Sequence, residues 1–181
     1  YIAAVYGTGC NEKNFREYLK VVTVAESYAQ QVRSSFTYSD ADIADEYAAN
    51  PNSYDSVTYR QFLVSDPMFQ TSSEDVEAGA AELTEDELTA KKEEMASRMA
   101  EDAKGDEQAF IDAAYDNAKE SDKDTYAEDS ATLREGAFYT SVDSSIADWL
   151  FDSARTEGDT TYIVSDSGVY YVLYYISRST N

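Results

Sequence analysis

The residues of this chain best able to make specific contacts are tyrosines near its C-terminus. In GDTTYIVSDSGVYYVLYYISR, residues 158–178, Tyr162, Tyr170, Tyr171, Tyr174 and Tyr175 crowd into two β-prone runs. A phenol donates and accepts hydrogen bonds and adds contact area at little entropic cost, which suits an adaptable surface for flexible chains. The same run also reads as an inert, soluble sheet face. Histidine is absent, so the usual neutral-pH general base, the commonest metal ligand and any Ser-His or Cys-His pair are excluded. Cys10 is the only cysteine, which rules out an internal disulfide and a Cys-rich zinc site; it reads as a small apolar residue. Between residues 74 and 129, 20 acidic residues face 6 basic ones, a density able to attract calcium or basic clients. However, DKDTYAEDS lacks the central glycine and closing glutamate of a calcium loop, and solvated helix faces account for the charges. Neither a metal nor a cofactor is expected.

The whole chain of 181 residues carries a net charge of −22, from 36 acidic and 14 basic residues. Nucleic acid is therefore an unsuitable partner, because phosphate backbones are bound by lysine and arginine. An anionic membrane surface is disfavoured for the same reason. A hydrophobic content of 43% is enough for a folded core. No apolar run reaches the roughly 20 residues that span a bilayer, so membrane association is expected only through a segment outside this sequence. The opening Tyr1-Ile2-Ala3-Ala4 reads as the interior of a longer protein.

These residues need elements to position them. Phe15, Tyr18, Leu19, Val22, Ala25, Ala29 and Val32 fall at helical spacing and predict a long amphipathic helix over 11–35. Ser39 and Asp42 cap a second helix, 40–49, that Asn50-Pro51 stops. SVTYRQFLV, 56–64, predicts a strand, and an acidic stretch of no clear period, 65–83, follows. Thr84 and Glu87 form a capping box for a helix near 84–103, with Leu88, Met95 and Met99 on its apolar face and Gly105 after it. A further helix fits 106–119, KESDKDTYAEDS reads as a loop, and Ile146, Trp149, Leu150 and Ala154 mark a helix near 143–155 closed by Gly158. Trp149 reads as core. Ser165-Asp166-Ser167-Gly168 turns the final hairpin, one face of which should meet the helices and the other remain open.

The order strand, helix, helix, loop, helix, strand, strand resembles the parvulin-type peptidyl-prolyl isomerase domain of SurA- and PrsA-like extracytoplasmic foldases. YDSVTYRQFLV is similar to the family's first strand, IADWLFDSARTEGDTTYIVSDSG to the helix, turn and strand before the last hairpin, and SGVYYVLYYISR to the terminal strand. The resemblance implies an α+β fold, an antiparallel or mixed sheet flanked by helices, in a domain over 51–181 behind an N-terminal helical annex over 1–50. It also implies an apolar proline pocket at Leu133, Val142 and Ile146, with Phe151 nearby and Tyr170 beside it. The positions of the two family histidines are occupied by Gln61 and Tyr170, and Asp122 or Asp124 stands near the family's Cys/Asp position.

An altered polar network on this scaffold implies an extracytoplasmic factor, membrane-anchored in its full-length form, that binds extended or unfolded polypeptide clients with little or no isomerase activity. Two alternatives remain open: an active prolyl isomerase in which Tyr170 and an aspartate replace the histidines, and a structural or adaptor domain of a cell-surface protein. Exchange of the helical annex between protomers would make a homodimer.

Overall fold

The computed structural model of the chain describes residues 1–69 and 81–180. The chain divides into two compact units, Tyr1–Ala48 and Ala49–Asn181. In the first, α1 (Ile2–Tyr6) precedes α2 (Glu12–Ser35) and α3 (Asp40–Ala49). Asn11 starts α2 because its side chain accepts from the Lys13 and Asn14 amides while Asn14 answers the Asn11 amide, satisfying donors that a first turn leaves open. Ser39 and Asp42 do the same for α3. No residue of α2 is fully buried, although Phe15, Val22, Ala29 and Val32 are half-covered; Val21, Val24 and Tyr28 are exposed.

The second unit is an α+β fold around a four-stranded antiparallel sheet of order β2-β1-β4-β3, built from β1 (Ser56–Val64), β2 (Leu133–Phe138), β3 (Thr160–Val164) and β4 (Tyr170–Ser179). Period-two alternation divides β4 between the two faces of the sheet. Tyr170, Val172 and Tyr174 join Phe62 and Val64 under α4 (Glu85–Asp102) and α5 (Glu107–Asn117), against Ala96, Met99 and Phe110. Leu173 and Tyr175 join Val57 and Tyr59 on the other face, under Ile146, Leu150 and Phe151 at α7 (Ser144–Leu150). Both hairpin faces therefore meet helices, not one as the tyrosine pattern predicts. Each large side chain buried here contributes about 1.5–3 kcal/mol.

Three nearly buried cations tie helices and turns to this sheet. Arg178 on β4 meets Asp55 at 2.6 Å, Asn52 at 2.7 Å and the Phe151 carbonyl at 2.8 Å. Arg60 on β1 meets Glu107 at 2.7 Å and the Thr132 hydroxyl at 2.9 Å. Lys92 on α4 meets Asp66 at 2.6 Å and the Gly168 carbonyl at 3.0 Å. The turn from α4 to α5 is fixed by two glycines: Gly105 N–H donates to the Gly158 carbonyl at 2.9 Å, and a Cβ on Gly158, at φ +88°, would lie 2.9 Å from the Gly105 Cα.

Several expectations change. The strand β2 was not predicted, because Arg134, Glu135 and Gly136 look like loop; Gly136, at φ +58°, sits where β2 bulges opposite Thr58. The segment read as a loop, KESDKDTYAEDS, holds 3-10 turns at Glu120–Asp122 and Asp129–Ala131 around a short helix, α6 (Lys123–Tyr126). The helix predicted to reach 155 stops at Leu150, and Asp152, Arg155 and Asp159 form a polar turn after it. Gly158 serves the close approach to Gly105 and does not end that helix. Of the 65–83 stretch, residues 70–80 lie outside the described residues; a 3-10 turn occupies Asp66–Met68. Replacing one member of the best-buried ion pair leaves the other charge unpaired, so Asp55→Ala is expected to cost about 3–5 kcal/mol, read as a lower denaturant midpoint at unchanged slope.

Candidate functional site

Opposed residues in an antiparallel pair share a face. Gln61 lies opposite Leu173, and Leu63 and Ile163 flank Tyr171 from either side. Tyr59, Gln61, Leu63, Ile163 and Tyr171 therefore line the side of the sheet that α7 covers. The cover is partial: Tyr59 is buried beneath α7, while Gln61, Ile163 and Tyr171 are half-buried and Leu63 is 40% exposed. The result is a half-open apolar and aromatic platform bordered by Val142, the residue that leads into α7.

Its polar groups are ordered. Tyr171 Oη donates to Asp143 Oδ2 at 3.1 Å, and Asp143 is also the N-cap of α7, accepting from the Ser145 amide and hydroxyl. One carboxylate therefore starts the helix and anchors the phenol. Tyr59 Oη donates to Gln61 Oε1 at 3.4 Å, a long contact. The Ser145 bonds hold Asp143 below the ordinary carboxylate range, with a smaller contribution from Tyr171. Burial pushes the Tyr171 phenol up, assisted by its bond to Asp143, and burial raises Tyr59 against the opposing charge of Arg134. Near neutral pH, Asp143 stays ionised and both phenols stay protonated. The group is thus equipped to donate and accept hydrogen bonds, and poorly matched to shuttling protons at pH 7.

The residues predicted to form one groove are distributed over both sides of the sheet. Val142, Ile146 and Phe151 come together under α7, where Ile146 and Phe151 are buried core. Tyr170 lies on the opposite face, 5% exposed, stacked on Tyr162 at 6.0 Å with the Lys92 ammonium 5.5 Å from its ring. Gln61 and Tyr170 thus do not face each other, and Tyr171 is the tyrosine beside Gln61. The difference is one residue, which flips a strand side chain to the other face. Leu133, on β2, pairs with Arg60 of β1 and joins neither core cluster. Asp122 and Asp124 are exposed around α6; Asp122 accepts from Ser121, and among the described residues neither bonds to Gln61 or Tyr170. Trp149 packs edge-on against Tyr175 at 6.4 Å with the Arg155 guanidinium 5.1 Å from its ring, half-buried at the border of the core and not within it. Sequence reasoning passed over Tyr59, Leu63 and Asp143. The signal for Asp143 was its place before Ser144-Ser145, an N-cap pattern.

No protein-family model matches this chain, and no curated protein matches it in sequence.

The raised phenols generate a pH dependence. Tyr59, Tyr171, Tyr174 and Tyr175 all ionise above the ordinary value of 10.0 in the folded chain, chiefly because they are buried. The folded state therefore keeps protons that the unfolded state has already released as pH rises. Stability is full below pH 10 and is lost as pH climbs through the folded values. Urea midpoints measured across the alkaline range should fall, and the part of the tyrosinate absorbance that comes from these covered phenols should appear together with unfolding. Smooth titration of all tyrosines at the ordinary value in a folded chain contradicts this assignment.

Proposed function

We propose that residues 49–181 form a parvulin-like module that binds extended or unfolded polypeptide on the half-open platform of Gln61, Leu63, Ile163 and Tyr171. In this reading the protein is a folding factor working outside the cytoplasm, tethered to a membrane through a segment outside this sequence. The observation that carries it is the shared face of Gln61 and Tyr171 next to Val142 and α7, left partly open at Leu63. Apolar side chains of a client would lie against Leu63, Ile163 and Val142. The Gln61 carboxamide and the Tyr171 phenol would meet its backbone. The net charge of −22 keeps a complex with an unfolded client soluble.

Holding, not turning, is the favoured activity, because the two positions where the resembled family has histidines carry Gln61 and Tyr170, and these lie on opposite faces of the sheet. One observation favours a second reading, prolyl isomerisation: Tyr171 and Asp143 form a hydrogen-bonded pair at the platform's edge. An ordered phenol beside an apolar shelf would help a prolyl amide twist over its barrier of roughly 18–20 kcal/mol.

The client-binding reading predicts that the chain suppresses aggregation of a chemically unfolded client at equimolar ratio, and that Leu63→Asp weakens binding about ten-fold while leaving the fold intact. No suppression at several-fold excess removes the reading. Exchange spectroscopy on short X-Pro peptides separates the two activities. Acceleration proportional to protein concentration and lost in Tyr171→Phe establishes the isomerase; line broadening without acceleration establishes binding alone.

A further inference from the structure

We propose that the outer edge of β3 is a strand-addition site at which a cationic, extended polypeptide segment pairs as a fifth strand. The inference rests on the polypeptide-binding reading above and specifies how and what the module binds. The Ser165 amide bonds the Val169 carbonyl at 2.9 Å, and the Tyr175 amide bonds the Asp159 carbonyl at 2.8 Å. Those two bonds fix the parity of the antiparallel ladder. Odd-numbered residues of β3 turn their backbone groups toward β4, so the amides and carbonyls of Thr160, Tyr162 and Val164 point away from the sheet. Among the described residues no other segment bonds them; the Tyr162 carbonyl receives only a 3.3 Å contact from the Thr161 hydroxyl.

The two sheet edges differ. On β2, Arg134, Glu135 and a bulge with Gly136 at φ +58° blunt the outer edge, as edge strands do when they must stay unpaired. On β3, Thr160-Thr161-Tyr162-Ile163-Val164 carries no charge, glycine or proline; its first four residues are partly buried against the sheet and helices, and Val164 is 47% exposed. Ile163 also belongs to the platform, so a strand added at β3 continues that surface, with its alternate side chains beside Ile163, which in turn stands beside Tyr171.

Charge identifies the occupant. Pairing β3 with β3 of a second copy brings together two chains of −22 each. Glu157 and Asp166, exposed at the two ends of the edge, repel an acidic strand and attract lysine or arginine. A basic extended segment of another protein meets both conditions.

The test is amide hydrogen exchange, read residue by residue on the whole chain, with and without a short soluble peptide alternating lysine with valine and threonine. On saturation, the amides of Tyr162 and Val164 should exchange at least about ten-fold more slowly, while those of Thr161 and Ile163 are protected beforehand. Val164→Pro removes one outward donor and spares the β3–β4 bonds, so it should weaken peptide binding about ten-fold. Peptide binding with Tyr162 and Val164 unprotected overturns strand addition and leaves the platform reading standing. Protection that grows with protein concentration and no peptide assigns the edge to a second copy and overturns the cationic occupant. Absence of any peptide binding overturns both readings.

Discussion

The structure depends on one strand being buried on both sides. Among the residues of β4 from Tyr170 to Tyr175, only Tyr171 is more than marginally accessible. A strand of this kind cannot sit on the surface of a two-layer fold; it requires helices above and below. The aliphatic and aromatic stripes of α4 and α5 satisfy one side, and the short α7 satisfies part of the other. That asymmetry in cover, two helices against one short one, leaves a partly open platform on the side of α7. The tyrosines add a second demand, since each hydroxyl must leave the core or find a partner. Tyr171 meets it through Asp143 and Tyr162 through Glu93 at 3.3 Å, so these two phenols reach exposed carboxylates instead of the middle of the core.

An acidic chain must also spend its few cations where they hold the fold. Arg60, Lys92 and Arg178 sit between sheet and helices, each bonded to a carboxylate and to at least one further oxygen. Full hydrogen bonding is what makes a buried charge tolerable, and it also fixes which turn docks on which strand. Arg178 joins the entry of the second unit to its final strand, and Lys92 joins α4 to the β3–β4 turn. The remaining carboxylates are left largely to solvent, where they set the long-range field.

The platform and the β3 edge form one continuous surface through Ile163 and Tyr171. The chemistry there is that of contact: aliphatic and phenolic area, one carboxamide, one ionised carboxylate engaged by its own helix, and outward backbone groups at the edge. In the proposed reading, such a surface would meet the extended backbone common to all unfolded chains, with charge supplying selectivity. It does not require a group that changes protonation state near neutral pH.

The sequence by itself determined the four longer helices, α2 to α5, and three of the strands, because their signals are local. Asn11, Ser39, Thr84 with Glu87, and the apolar run of β1 act within a few residues of themselves, and the observed bounds follow them closely. It also determined the absence of imidazole chemistry and the acidic surface, which are matters of composition. Only the tertiary structure decided which tyrosine faces Gln61. The pairing of β1 with β4 slips between Thr58 and Tyr59, where Ile176 stands unpaired, and this register sets Tyr171 and not Tyr170 on the platform. Strand β2 likewise exists because β1 offers it a partner: its Arg-Glu-Gly centre has little strand propensity, and its backbone bonds come from residues some seventy positions away. Local propensity acts within a few residues, whereas face and register are set by pairing between distant ones, so the elements were legible and the site they make was not.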